Sequence, residues 1–193
     1  MNATKLSLED ILQMTLHDGE GWAVAHARRL LELIKDIGDG LLYDSFALTL
    51  ATYLHDWGAF PRYAQKGVEH ALRSRQVAEA EILPNMDLSS SAKQVVLETI
   101  ELHDYRDFRQ TQSNEALLLR EADMLEFLGM MGLARDFARG PKDIEACYRR
   151  ILDRRAAIQG RFTLPRAREI AQIRLERLDQ CLRWLEEESF GIL

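Results

Sequence analysis

Five histidines in 193 residues are few enough to weigh one at a time. His55-Asp56 ends an apolar run, ATYLHDWGAF, just before Gly58 and Pro61 interrupt it. An apolar helix ending there puts both side chains at the rim of a core. Neighbouring helix positions point about 100° apart, yet both can reach one ion seated between their directions. His26, in GWAVAHARRL, sits in a helix whose apolar face includes Trp22, Ala25, Leu30 and Leu33. Asp123, in READMLEFLGMMGLAR, is an acid inside a Met-, Leu- and Phe-rich helix, where a carboxylate is costly to bury without a partner. Arg120, one turn away, is the usual kind of partner, and a divalent ion is the alternative. Imidazole and carboxylate together suit Mn, Fe, Ni, Zn or Mg rather than a structural thiolate site. His17-Asp18, followed by Gly19-Glu20-Gly21, reads as a loop or cap.

Helices must position these groups, because Leu, Ala, Glu, Arg and Ile recur at helical spacing with little two-residue alternation. The pattern predicts helices near 6–16, 21–37, 43–56, 67–83, 90–104, 114–137, 142–159 and 165–189. Glycine and proline punctuate it at Gly38-Asp39-Gly40, Gly58, Pro61, Pro84, Gly140-Pro141 and Gly160–Pro165. Ser89-Ser90-Ser91 makes a fair helix start, whereas Ser113 is half a capping signal, its Glu falling at 115. The expected fold is all-α, one compact helical bundle over residues 1–193 with a C-terminal helical hairpin at about 141–189. In the closing helix, Ile170, Ile173, Leu175, Leu178, Leu182 and Leu185 form a packing stripe. Met124, Met130 and Met131, with Phe127 and Leu128, read as core packing.

Composition excludes several classes. Apolar residues make up 47% and charged residues 29%, which fits neither a disordered tail nor a membrane protein. The nearly apolar stretch from Phe46 to Leu54 is too short to span a bilayer. The opening MNATKLSLEDIL places acids where an export signal would need a basic-then-apolar run. Cys147 and Cys181 are too few for a disulfide framework or cysteine cage, so a cytoplasmic setting is expected. Net charge is −6, which argues against broad nucleic-acid binding. The basic stretch 141–183 keeps that possibility only locally, with acids interleaved.

In their order, His26, His55-Asp56 and Asp123 resemble the H…HD…D signature of the HD-domain superfamily of metal-dependent phosphohydrolases. HARRL resembles the family's helix bearing the first His, with Arg29 three residues on. YLHDWG resembles the apolar helix ending in His-Asp, and EADMLEFLGMMGLAR the segment delivering the last Asp in small stand-alone bacterial members. The likeness covers residues 20–137, and FTLPRAREIAQIRLERLDQCLRWLEEE resembles those proteins' closing helices. It implies a bundle of the HD-domain type in which His26, His55, Asp56 and Asp123 hold one divalent ion. In two-metal members, extra histidines near the places of His70 and His103 complete a second site, with Asp56 as bridge. Those members often carry paired His at the second of these positions, and here His103 is followed by Asp104 instead.

The reaction implied is hydrolysis of a phosphate ester or anhydride by metal-activated water, with nucleotides the leading substrate class. Asp56 would orient or deprotonate the water. Lys66 would steady the phosphate or help the leaving group, and Arg29 and Arg135 are further candidates for substrate contact. Trp57, Phe60 and Tyr63 could stack on a base or pack as a turn on the core. No serine sits in a nucleophile elbow and no glycine-rich phosphate loop is present. A regulatory module that binds metal or nucleotide without strong catalysis is the second reading, and a nuclease the third.

Overall fold

A computed structural model describes residues 5–140 and 142–192. Among the described residues the regular structure is helical, and the chain falls into two compact units that meet at Arg120 and Glu121.

The first unit carries α1 (Leu8–Asp18), α2 (Ala23–Ile37), α3 (Ser45–Leu54), α4 (His70–Val77), α5 (Ser90–Leu102) and the first half of α6 (Asn114–Leu128). Starts follow local hydrogen-bonding chemistry. Ser7 and Asp10 form a reciprocal capping box on α1. The Asp44 carboxylate accepts from Phe46 N and Ala47 N at the head of α3, and Ser89 Oγ accepts from Ala92 N on α5. Ser113 does cap α6, its hydroxyl accepting from Ala116 N at 3.1 Å while donating to Glu115.

α3 is the central pillar. Ala47, Leu50, Ala51 and Leu54 are buried on it, and it packs against α1, α2 and α5. Trp57, Phe60 and Tyr63 follow it and are 0, 1 and 4% exposed. Trp57 stacks on Tyr63 and donates its indole N–H to Thr15 Oγ1 at 3.0 Å, while Phe60 meets Trp22 edge-on. Of the two possibilities left open for these aromatics, core packing is the one observed.

Two expected helices are corrected. The 67–83 segment is regular α-helix only from His70 to Val77, then widens into a π turn at Ala78–Ile82 and tightens into a 3-10 turn at Leu83–Asn85, where Pro84 cannot continue the ladder. The 114–137 segment breaks at Gly129, which has extended dihedrals, giving α6 and a separate α7 (Met130–Arg139).

The second unit continues α6 and holds α7, α8 (Ile144–Ile158) and α9 (Pro165–Glu188). Ile151, Leu178 and Leu182 form its buried cluster, with Leu133, Phe137 and Tyr148 packed on it. α9 opens with Pro165 at its first turn, and the buried Glu121 carboxylate accepts from Thr163 N and Leu164 N just before it. Met130, Met131 and Ile173 are nearly half exposed, so the expected core role holds for Met124 and Leu128 but not for those three. Among the described residues no helix is long and apolar enough to cross a membrane.

Candidate metal centre

His55 and His103 end α3 and α5 in the same manner. Each caps its helix in right-handed dihedrals, where the last-turn carbonyls lack intrahelical donors. His55 Nδ1 meets Thr52 O at 2.8 Å, and His103 Nδ1 meets Ile100 O at 2.6 Å. A carbonyl accepts only, so both Nδ1 atoms carry hydrogen, and in the neutral rings both Nε2 atoms present lone pairs. Orienting the far ring nitrogen in this way is how proteins prepare a ligating imidazole.

The helix ends between His55 and Asp56, which explains how two neighbouring residues converge. Asp56 leaves the helix with φ −101° and ψ 4°, entering a 3-10 turn at Trp57–Ala59. Its two oxygens face opposite ways. Oδ2 lies 3.4 Å from His55 Nε2 and 3.6 Å from His26 Nε2, which are themselves 3.2 Å apart. Oδ1 lies 3.5 Å from His70 Nε2, which is 3.2 Å from His103 Nε2. The His26–His55 pair thus flanks one oxygen, and His70, itself paired with His103, flanks the other. Burial pushes the Asp56 carboxyl up, but the imidazoles of His55, His26 and His70, in their protonated form, outweigh it and hold the group well below its ordinary value.

α4 delivers His70 as its first residue, and the turn after Asp56 fixes that start. Gly58 N donates to buried Ser74 Oγ at 2.8 Å. A Cβ at Gly58 would stand 2.2 Å from His70 O and 2.6 Å from Ser74 N, so only glycine lets the two backbones approach this closely. Arg120 ties α6 to the end of α5, donating to Leu102 O at 2.6 Å and to Arg109 O at 3.1 Å.

Sequence reasoning did not single out Asp104 and Arg106. Asp104 Oδ2 lies 3.5 Å from His70 Nδ1, the place of a carboxylate that orients a ligating histidine from behind. Arg106 grips Asp104 with Nε and Nη2 at 2.5–3.1 Å, and its Nη2 reaches His70 Nδ1 and Glu69 Oε2, each at 3.3 Å. Burial raises the Asp104 carboxyl, yet the Arg106 hydrogen bonds leave it below its ordinary value, and the guanidinium is correspondingly pushed above its own. A further His-Asp dipeptide at a helix end, with Arg two residues beyond the Asp, was the available signal.

The other expected site residues fall as follows. Asp123 is buried on α6 in the second unit. Arg29 is half-buried on α2, one turn past His26, and Lys66 is exposed on the 64–69 loop leading to His70. Arg135 lies on α7, beyond the Gly129 break rather than on one helix with Asp123. There it donates to buried Glu126 at 3.1 Å and sits over the Phe127 ring. His17-Asp18 is structural, its carboxylate accepting from Arg62 and the Tyr63 hydroxyl.

The donor set fits divalent ions, with imidazole nitrogens and carboxylate oxygens closing on common points. His55, Asp56 and His103 offer ligand atoms all within 4.8 Å of one another.

No curated protein matches the chain, but solved structures do. A predicted HD superfamily hydrolase from an uncultured Thermotogales bacterium is similar with a TM-score of 0.65 and 22% identity, over 94% of this chain and 92% of that one. An HD-superfamily hydrolase from Bacillus thuringiensis gives 0.65 and 18%, over 94% and 96%. The Lin1889 protein of Listeria innocua gives 0.66 and 18%, over 97% and 99%. These identities speak to the fold. A family model for the HD domain matches residues 23–157, a span that takes in both imidazole pairs, the carboxylate between them and Asp123, and by that match the chain belongs to the HD-domain family.

Proposed function

We propose that the chain is a metal-dependent phosphohydrolase acting on a small phosphate ester or anhydride, with nucleotides the first class to test. The observation that carries this reading is Asp56 with one oxygen at His26 and His55 and the other at His70. In the reading, His26, His55, Asp56 and Asp123 would hold one divalent ion, and His70 and His103, together with Asp56, would hold a second. A divalent ion bound there would supply Lewis acidity and a more acidic water.

The chain's own residues do the remainder. Asp56, standing between His26, His55 and His70, would orient or deprotonate the attacking water. The carbonyls of Thr52 and Ile100 keep His55 and His103 in the ligating tautomer. Lys66, exposed on the loop before α4, reaches for the substrate's phosphate, and Arg29 adds charge one turn behind His26. The partner is a small phosphorylated molecule, and the acidic net charge of −6 disfavours a nucleic-acid backbone.

Phosphate release from a panel of nucleoside mono-, di- and triphosphates and cyclic nucleotides tests this. Protein stripped with a chelator and reconstituted separately with Mn, Fe, Ni, Zn and Mg should turn over at least one class with at least one metal. His55→Ala should lose roughly a hundredfold or more. Failure with every metal and substrate would contradict the reading and favour a regulatory module.

A further inference from the structure

Asp104, Arg106 and Glu69 meet at the outer edge of His70, and with the ring they admit two self-consistent hydrogen-bond patterns. In the first, Arg106 Nη2 donates to His70 Nδ1 across 3.3 Å, because a guanidinium nitrogen only donates. Nδ1 then carries the lone pair and Nε2 the hydrogen. His70 Nε2–H points to His103 Nε2 at 3.2 Å, and His103 passes its own Nδ1–H to Ile100 O. This is one donor chain, from Arg106 through two neutral rings to a carbonyl, and it occupies the ring nitrogens a metal would need. In the second, His70 Nδ1–H turns to Asp104 Oδ2 at 3.5 Å, and Arg106 Nη2 divides its two hydrogens between Asp104 and Glu69. His70 Nε2 is then a lone pair facing Asp56 Oδ1 and His103. No charge changes between the patterns, since one hydrogen moves from one ring nitrogen to the other.

Taking the metal centre proposed above as its basis, we infer that Arg106 is a positioning residue that closes the His70–His103 half to a divalent ion, and that a phosphate-class oxyanion opens it by drawing the guanidinium off His70. The Arg106 side chain is 54% exposed and rides on the irregular 103–113 segment, so an anion can reach it. Its planar fork, which holds the Asp104 carboxylate, matches phosphate oxygens in the same way, so an oxyanion competes for it. Freed of Arg106, His70 pairs with Asp104, and its ligating nitrogen becomes available. Phosphate and the second ion therefore bind cooperatively, each tightening the other by the same factor.

Two measurements on the full chain test this, using wild type and Arg106→Met. The first is Mn2+ titration of chelator-stripped protein, with and without inorganic phosphate. Wild type should bind a second ion weakly, at least tenfold more tightly with phosphate. Arg106→Met should bind the second ion at least fivefold more tightly than wild type without phosphate, and phosphate should add less. An unchanged or weakened second site in Arg106→Met overturns the inference, because a residue that merely supports Asp104 would give that result. The second is 15N NMR of the His70 ring in metal-free protein near pH 8, where imidazoles are neutral. Nδ1 should be an unprotonated acceptor in wild type and protonated in the variant, and one tautomer in both proteins overturns the inference. No Mn2+ binding in either protein, with the tautomer change present, would overturn the proposed metal centre and the gate built upon it.

Discussion

Asp56 and Asp104 are both carboxylates beside His70, yet their surroundings give them different work. Asp56 looks at imidazoles from both oxygens, whereas Asp104 is held by a guanidinium and stands behind the ring. The Asp104 carboxyl lies below its ordinary value of 3.8, so its ionised form stabilises the native state. That contribution is full above pH 3.8 and lost as pH falls through the lower folded value. Arg106→Met should remove roughly 0.5–1 kcal/mol of it, so the stability difference between wild type and variant by urea unfolding should shrink from pH 5 towards pH 3. Tyr63 behaves in the opposite sense. Burial, with a smaller part from Asp18, pushes its hydroxyl up to about 12, so in an absorbance titration its phenolate should appear last, and Tyr63→Phe should delete that late step. Three His-Asp dipeptides stand in the sequence, at 17, 55 and 103. Flanking words separated the first from the second, but nothing local revealed that Asp104 serves His70, because the contact needs α4 and α5 brought side by side.

Elements act here through where they stop. α3 and α5 each stop at a histidine whose ring replaces a missing donor for the last turn, and α4 starts at one. Gly58 sets the distance between these ends. Gly58→Ala should cost about 2 kcal/mol in denaturant unfolding and weaken Mn2+ binding at the His70–His103 half more than at His26–His55, since the added methyl meets His70 O and Ser74 N first. Ser74→Ala removes the hydroxyl that accepts from buried Gly58 N and should cost roughly 1–3 kcal/mol. Helix existence was legible in the sequence from spacing and caps alone. The Gly129 break was not, because its neighbours Leu128, Met130 and Met131 all favour helix, and Gly132 allows the close turn that follows, its Cβ position lying 2.3 Å from Phe127 O. The π turn after Val77 escaped for a related reason, since every residue of Ala78–Ile82 tolerates helix.

The whole molecule joins a first unit that carries both imidazole pairs to a second whose compact core is built from α7, α8 and α9. Leu178→Ala, in that second core, should cost about 2–4 kcal/mol by denaturant unfolding. The all-α class and the order of His26, His55-Asp56, His70 and His103 were readable from the chain, and their convergence on Asp56 followed from folding. The most direct test of the account is elemental analysis of divalent metal on purified wild type and Asp56→Ala, with folding of both checked by circular dichroism. One to two ions per wild-type chain and loss of most of that metal in a folded Asp56→Ala are expected. No metal in wild type after reconstitution, or an unchanged content in the variant, would contradict the claim that Asp56 is the centre of a metal site.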